Sequence, residues 1–177
     1  MKGIILLDNY FEDTEALATI DVLVRGGLEV LRVNMSNDKE LTTQCGNKIV
    51  VDTFYKDVKL SDYDFLVIPG GKAVMNSLLN DKRVYDAIEV FNKHKKLIAT
   101  ICAAPALLRD YLVGKDYTCF PGFDKYINGN YKNTGVVRTD NYITARSMYY
   151  SIEFGLEIVK YLTNNTTLVE RLKASNV

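Results

Sequence analysis

Apolar residues come in short, uninterrupted runs at 3–7, 65–68 and 97–101. Runs of four or five residues without alternation are too short for helices and read as strands buried on both faces of a parallel sheet. A fourth run, 28–33, alternates and reads as a strand with one face less covered. Helical spacing fills the intervals. Ala16, Leu17, Ile20, Val22, Leu23 and Val24 form one apolar side of a helix that opens on the acids Glu12, Asp13 and Glu15 and closes at Gly26-Gly27. Strand, helix and strand over 3–33 make a βαβ unit, which calls for a parallel sheet with a right-handed crossover.

Further along, 42–45 and 48–53 read as two short strands turning at Gly46-Asn47, and 60–64 as a turn. Helices are expected over 73–79 and 82–94, with a helix beginning almost directly after Cys102, where Pro105 suits a first turn. Short strands at 117–120, 136–138 and 142–145 follow, the last two turning at Asp140-Asn141, then helices over 147–162 and 167–174. With no repeat, linker or low-complexity stretch, 1–177 reads as one domain. The alternation of strand and helix gives an α/β, doubly wound, mostly parallel sandwich with helices on both faces.

Composition narrows the function classes. Lys plus Arg and Asp plus Glu number 22 each, so no charge imbalance points to nucleic acid or an acidic membrane. No apolar run approaches a membrane span, and the N-terminal run is too short for a signal peptide. Three cysteines without C-x-x-C spacing, Cys45, Cys102 and Cys119, offer neither a disulfide framework nor a metal site, so a reducing cytoplasmic setting and no metal are expected. No G-x-G-x-x-G or Walker sequence supports nucleotide binding.

Three loops that follow parallel strands meet at one sheet edge, where such folds place ligands. They carry Glu15, Gly70-Gly71 and Cys102. Singly, each has a plain structural explanation: a helix-start acid, a tight turn, a small buried hydrophobe. Together they supply a nucleophilic sulfur, a carboxyl group to move its proton, and backbone N–H groups for an oxyanion. Gly71 allows close approach, and Ala103 follows the nucleophile as at a strand-to-helix elbow. A carboxyl group in that role needs a raised pKa.

The segments 8–17 (DNYFEDTEAL), 68–71 (IPGG) and 98–105 (IATICAAP) resemble the three site segments of the DJ-1/ThiJ/PfpI superfamily, and the DJ-1-like branch most closely. The likeness extends to Gln44-Cys45, to Cys119-Phe120-Pro121 and to 140–154, nearly the full chain. It implies a flavodoxin-like sandwich, a homodimer, a reactive and oxidation-sensitive Cys102, Glu15 bonded to its sulfur, and N–H groups of Gly71 and Ala103 facing that sulfur. It also implies Arg25 near a dimer-lined pocket, although a basic residue at a helix end equally serves the helix dipole. Gly70 and Phe120 complete the expected pocket.

Phe120 stands before Pro121 where human-like relatives carry a histidine, and the only histidine, His94, sits in a Lys-rich helix end. No Cys–His pair is available, which leaves a protease or amidase reading poorest. An aromatic at 120 is expected to dry the pocket. Asn47 and Lys48 fall near a second pocket arginine of the family, which weakens anion binding. Tyr10, Phe11, Tyr149 and Tyr150 are possible pocket walls.

Two functions share these residues. One is a cofactor-independent, glyoxalase III-like conversion of small 2-oxoaldehydes to 2-hydroxy acids, with deglycation as a related activity. The other is a non-enzymatic redox sensor or stress chaperone using Cys102. The expected partners are a small carbonyl substrate and a second copy of the chain, with no nucleic acid and no membrane.

Overall fold

The computed structural model describes residues 1–175. Its strands are β1 (Lys2–Leu7), β2 (Glu29–Asn34), β3 (Glu40–Thr42), β4 (Lys48–Val50), β5 (Thr53–Phe54), β6 (Phe65–Ile68), β7 (Leu97–Ile101), β8 (Asp116–Tyr117), β9 (Asn130–Tyr131), β10 (Val136–Thr139) and β11 (Tyr142–Ala145). Its α-helices are α1 (Asp13–Arg25), α2 (Lys72–Asn76), α3 (Lys82–Lys93), α4 (Ser151–Thr163) and α5 (Thr166–Ala174). One seven-stranded sheet runs β10-β11-β7-β6-β1-β2-β5, and every pairing in it is parallel except the β10–β11 hairpin.

The three uninterrupted runs became its centre: β6 and β7 are wholly buried, and β1 is buried beyond Lys2. The chain steps from β1 to β2 in one direction and from β6 to β7 in the other. With right-handed crossovers, α1 and α3 therefore cover opposite faces. The reversal lies between β1 and β6, and in an open sheet that crevice at the carboxyl ends is the ligand position. On its side of the sheet, α1 packs closely on α4. A Cβ on Gly155 would come within 2.8 Å of Val22, and one on Gly26 within 2.5 Å of Val159.

The expected strand over 117–120 is only Asp116–Tyr117, the expected helix over 73–79 ends at Asn76, and two further elements differ. The hairpin over 42–53 is shorter, with β3 pairing β4 from Glu40↔Val50 to Thr42↔Lys48, while β5 joins the main sheet beside β2. Its loop is organised by Asp13 at the start of α1. That carboxylate accepts from Thr43 Oγ1 at 2.6 Å, Asn47 Nδ2 at 2.7 Å and the Cys45 N–H at 3.1 Å. After Cys102 there is no α-helix. Residues Ala104–Leu108 form a 3-10 turn in which all five are buried. Its backbone closes over three residues, Ala106 N–H donating to Ala103 O at 3.2 Å, and Pro105 has no N–H to give to an α-helical bond.

Among the described residues, no helix is long and apolar enough to cross a membrane.

Candidate functional site

Glu12, Asp13, Thr14 and Glu15 begin α1 directly below the β1–β6 crevice. Glu12 is the N-cap, and its Oε2 accepts the Glu15 N–H at 2.6 Å. This bond fixes the first turn and leaves the Glu15 side chain free to point inward. Glu15 is 1% exposed. Its Oε2 accepts the Gly70 N–H at 2.9 Å, the Met148 N–H also reaches the carboxylate, and the Cys102 thiol is its hydrogen-bond neighbour. Burial raises its pKa to about 7. The Glu12 charge adds to the rise, and the bonds to Cys102, Gly70 and Met148 oppose it. Glu12, itself nearly buried, is also raised, chiefly by desolvation.

Cys102 ends β7 with φ 64°. The left-handed region costs a non-glycine residue about 1–2 kcal/mol. Two flanking backbone bonds hold the residue there: its N–H donates to Ala145 O at 2.9 Å, and its carbonyl accepts the Phe120 N–H at 2.8 Å. The kink leaves the sulfur partly exposed at the crevice, with the N–H groups of Gly71 and Ala103 bonded to it. Burial, the neighbouring Glu15 charge and the Glu15 hydrogen bond push the thiol above its ordinary range, against those two N–H groups. Both rises attributed to Glu15 require its carboxylate form. Once protonated, Glu15 can donate to the sulfur, so the two groups are coupled and the state of one sets the hydrogen bond to the other. Because the turn after Cys102 is so short, negative charge on sulfur meets these two amides rather than the summed dipole of a long helix.

Glycine is required twice. A Cβ on Gly70 would lie 2.7 Å from Glu15 Oε2 and 2.8 Å from Cys102 Cβ, inside the pair itself. Gly71 has φ 91°, and a Cβ there would lie 2.4 Å from Glu12 N and 2.6 Å from Tyr10 O. The loop after β1 is thus pressed against the loop after β6, joined also by the Phe11–Gly71 bridge and by Glu12 N–H donating to Gly70 O at 3.2 Å.

Of the residues singled out in the sequence, Glu15, Gly70, Gly71, Cys102 and Ala103 are brought together. Arg25 is not. It closes α1 with its Nε 2.8 Å from Asp21 Oδ2, ten residues and about 15 Å of helix beyond Glu15. Phe120 is tied to the site by its backbone, but its ring is 44% exposed and stands edge-on to Phe123, so within one chain it does not seal the crevice. His94 caps α3 and is exposed. Cys45 is exposed with its thiol bonded to Asp13, and buried Cys119 is pushed up to about 12 by desolvation. The sequence reading missed Glu12 and the Met148 amide. Glu12 was legible as the first residue of a cap pattern, E-x-x-E; a backbone donor from a loop 133 residues beyond Glu15 left no signal. Among the described residues no group of three or more His, Cys, Asp or Glu is placed to hold a metal ion.

Residues 1–161 match the DJ-1/PfpI family. The chain belongs to that family. Among its relatives, the glutathione-independent glyoxalase DJR-1.2 of Caenorhabditis elegans is 36% identical over 155 residues, covering 85% of this chain and 82% of the relative. YraA of Bacillus subtilis, whose name assigns it provisionally to the cysteine proteases, is 32% identical over 151 residues, covering 82% and 89%. The crystal structure of Drosophila melanogaster DJ-1beta superposes with a TM-score of 0.91 at 28% identity, covering 98% of this chain and 96% of that one. The flavodoxin-like α/β fold of the family is thereby established for this chain.

The raised Glu15 pKa links the site to stability. The unfolded carboxyl group loses its proton near 4.5 and the folded one near 7. Between those values the folded state binds more protons, so stability falls as pH rises, by on the order of 3 kcal/mol in total. Glu15→Gln removes this dependence. Urea unfolding should show the variant gaining on wild type steadily from pH 4 to pH 8. Parallel stability curves would mean that Glu15 is not the desolvated acid described.

Proposed function

We propose that the protein is a cofactor-independent cysteine enzyme that converts small 2-oxoaldehydes to 2-hydroxy acids. The observation that carries this reading is the buried, hydrogen-bonded pair of Glu15 and Cys102 with the N–H groups of Gly71 and Ala103 at the sulfur. The name of the nematode relative, a glutathione-independent glyoxalase, supports it.

The steps need only the substrate, the pair and water. The Cys102 sulfur adds to the aldehyde carbon, forming the C–S bond, and the carbonyl oxygen takes a proton to give a hemithioacetal. Glu15, as carboxylate, removes the proton from the former aldehyde carbon and returns one to the adjacent ketone carbon, with the ketone oxygen gaining its proton from the hydroxyl. The product is a 2-hydroxy thioester. No external redox partner is consumed, because one carbon is oxidised as its neighbour is reduced. Water then cleaves the C–S bond, releasing the 2-hydroxy acid and the thiol. The two amides stand where negative charge develops on oxygen next to sulfur. A carboxyl group with pKa about 7 is matched to giving and taking protons near neutrality.

The same pair supports a second reading as a redox sensor. Protonated Glu15 is a hydrogen-bond donor suited to a sulfinate formed at Cys102 by peroxide. Formation of 2-hydroxy acid separates the two, since a sensor makes none.

A homodimer belongs to the same proposal. Leu17, Ile20 and Val24 form a stripe on α1 away from its buried side, with Leu17 41% and Val24 55% exposed, and Val50 on β4 is 68% exposed.

Methylglyoxal should yield lactate with the wild-type protein, and Cys102→Ser should yield none above the uncatalysed background. Equal lactate from both proteins would remove Cys102 from the chemistry, and no lactate from either would leave the sensor reading. Light scattering should give twice the 20.0 kDa chain mass, falling to the chain mass on combining Leu17→Asp with Val24→Asp. A monomeric wild type would contradict the dimer.

A further inference from the structure

Three exposed apolar residues come from three separate loops, and the backbone of each adjoins a different member of the site. Tyr10, 46% exposed, follows β1; its carbonyl lies 2.6 Å from where a Cβ on Gly71 would stand, and it accepts the Ala73 N–H at 3.1 Å. Phe120, 44% exposed, donates its N–H to the Cys102 carbonyl at 2.8 Å. Met148, 53% exposed, has its N–H near enough to the Glu15 carboxylate to favour the charged form. An exposed aromatic or methionine alone means little. Three of them, with backbones in contact with the pair or with Gly71, stand around one crevice.

Tyr10 adds an independent sign. Its φ is 68°, a left-handed conformation in which a bulky side chain is a real outlier and glycine is the ordinary solution. The backbone there is fixed on both sides, by Tyr10 N–H to Thr42 O at 2.7 Å and by the Ala73 bond. Its hydroxyl takes no part in the hydrogen bonds of the described residues. The fold therefore bears backbone strain to keep an aromatic ring at the rim, where neither burial nor a hydroxyl bond repays it.

The charges beside the reacting sulfur are acidic, with Glu12 and Glu15 both at the base of the crevice. A carboxylate or phosphate on the substrate would meet them unfavourably, whereas an alkyl or aryl arm gains by covering the rim.

We propose that Tyr10, Phe120 and Met148 form a specificity rim that selects carbonyl compounds carrying an apolar, alkyl or aryl arm against those carrying an anionic arm. This deepens the 2-oxoaldehyde reading by naming the substrate class, and it rests on Cys102 being the reacting group. The rim is the same whichever carbonyl chemistry the thiol performs.

The test is independent of turnover. Cys102 is alkylated with phenacyl bromide, iodoacetamide or iodoacetate, its sulfur displacing halide in each case, and the rates are followed by intact mass and peptide mapping. Each rate is divided by that of a free small thiol under the same conditions. The wild-type protein should favour the aryl reagent over the anionic one by about tenfold beyond the free thiol. Combining Tyr10→Gly, Phe120→Ala and Met148→Ala should lower that ratio severalfold, leaving only the part that Glu12 and Glu15 impose on an anionic reagent. Met148→Glu, a single exposed change with little effect on folding, should lower the aryl preference and slow iodoacetate further. A wild-type ratio equal to the free thiol's overturns the rim, as does a triple variant that keeps the full preference. An aryl preference without lactate from methylglyoxal upholds the rim and removes the catalytic reading. Lactate without the preference does the reverse.

Discussion

One buried carboxyl group ties the site together. Glu15 sits on the first turn of α1, accepts an N–H from the loop after β6, has its charged form favoured by a second N–H from the loop after β11, and is hydrogen-bonded to the thiol at the end of β7. Four segments that are distant in sequence meet at two oxygen atoms. A buried carboxylate without these partners would cost several kcal/mol; with them it stays, but with its proton held to about pH 7. The energetic burden and the proposed chemistry have the same origin, because the desolvation that raises the Glu15 pKa also makes it able to move protons near neutrality.

Backbone shape does the rest. Cys102 is held in a left-handed conformation by bonds on either side, and Gly70 and Gly71 are glycines because any side chain would enter the pair or strike the loop after β1. Positioning here comes from rigid strand ends pressed together, so the sulfur, the carboxyl group and two amides are set before any ligand arrives. Arg25 illustrates the limit of the arrangement within one chain. A helix carries it away from the crevice, where it pairs with Asp21.

Much of this was legible in the residues. The unalternating runs that became β1, β6 and β7 fixed the sheet centre, and three strand ends carrying Glu15, Gly70-Gly71 and Cys102 fixed the site, because parallel strands put their carboxyl ends on one edge. What escaped was set by contacts remote in sequence. The loop after β3 follows Asp13, about thirty residues earlier, and the segment after Cys102 closes as a buried 3-10 turn among residues from distant parts of the chain. Composition shows neither. The left-handed Tyr10 was likewise invisible, since its conformation is imposed by Thr42 and Ala73 rather than by its own preference. Glu12 was named only as one of several helix-start acids, yet its carboxylate directs Glu15 inward.

The claim that matters most is that Glu15 and Cys102 titrate as one unit. The direct measurement is the rate of Cys102 alkylation by iodoacetamide against pH, read by peptide mapping so that Cys45 and Cys119 do not contribute, in wild type and in Glu15→Gln. The wild-type profile should carry an inflection near pH 7 from Glu15, and the variant should lose it, keeping only the alkaline rise of a buried thiol. Superimposable profiles for the two proteins, each with a single alkaline rise, would show that the carboxyl group does not act on the sulfur.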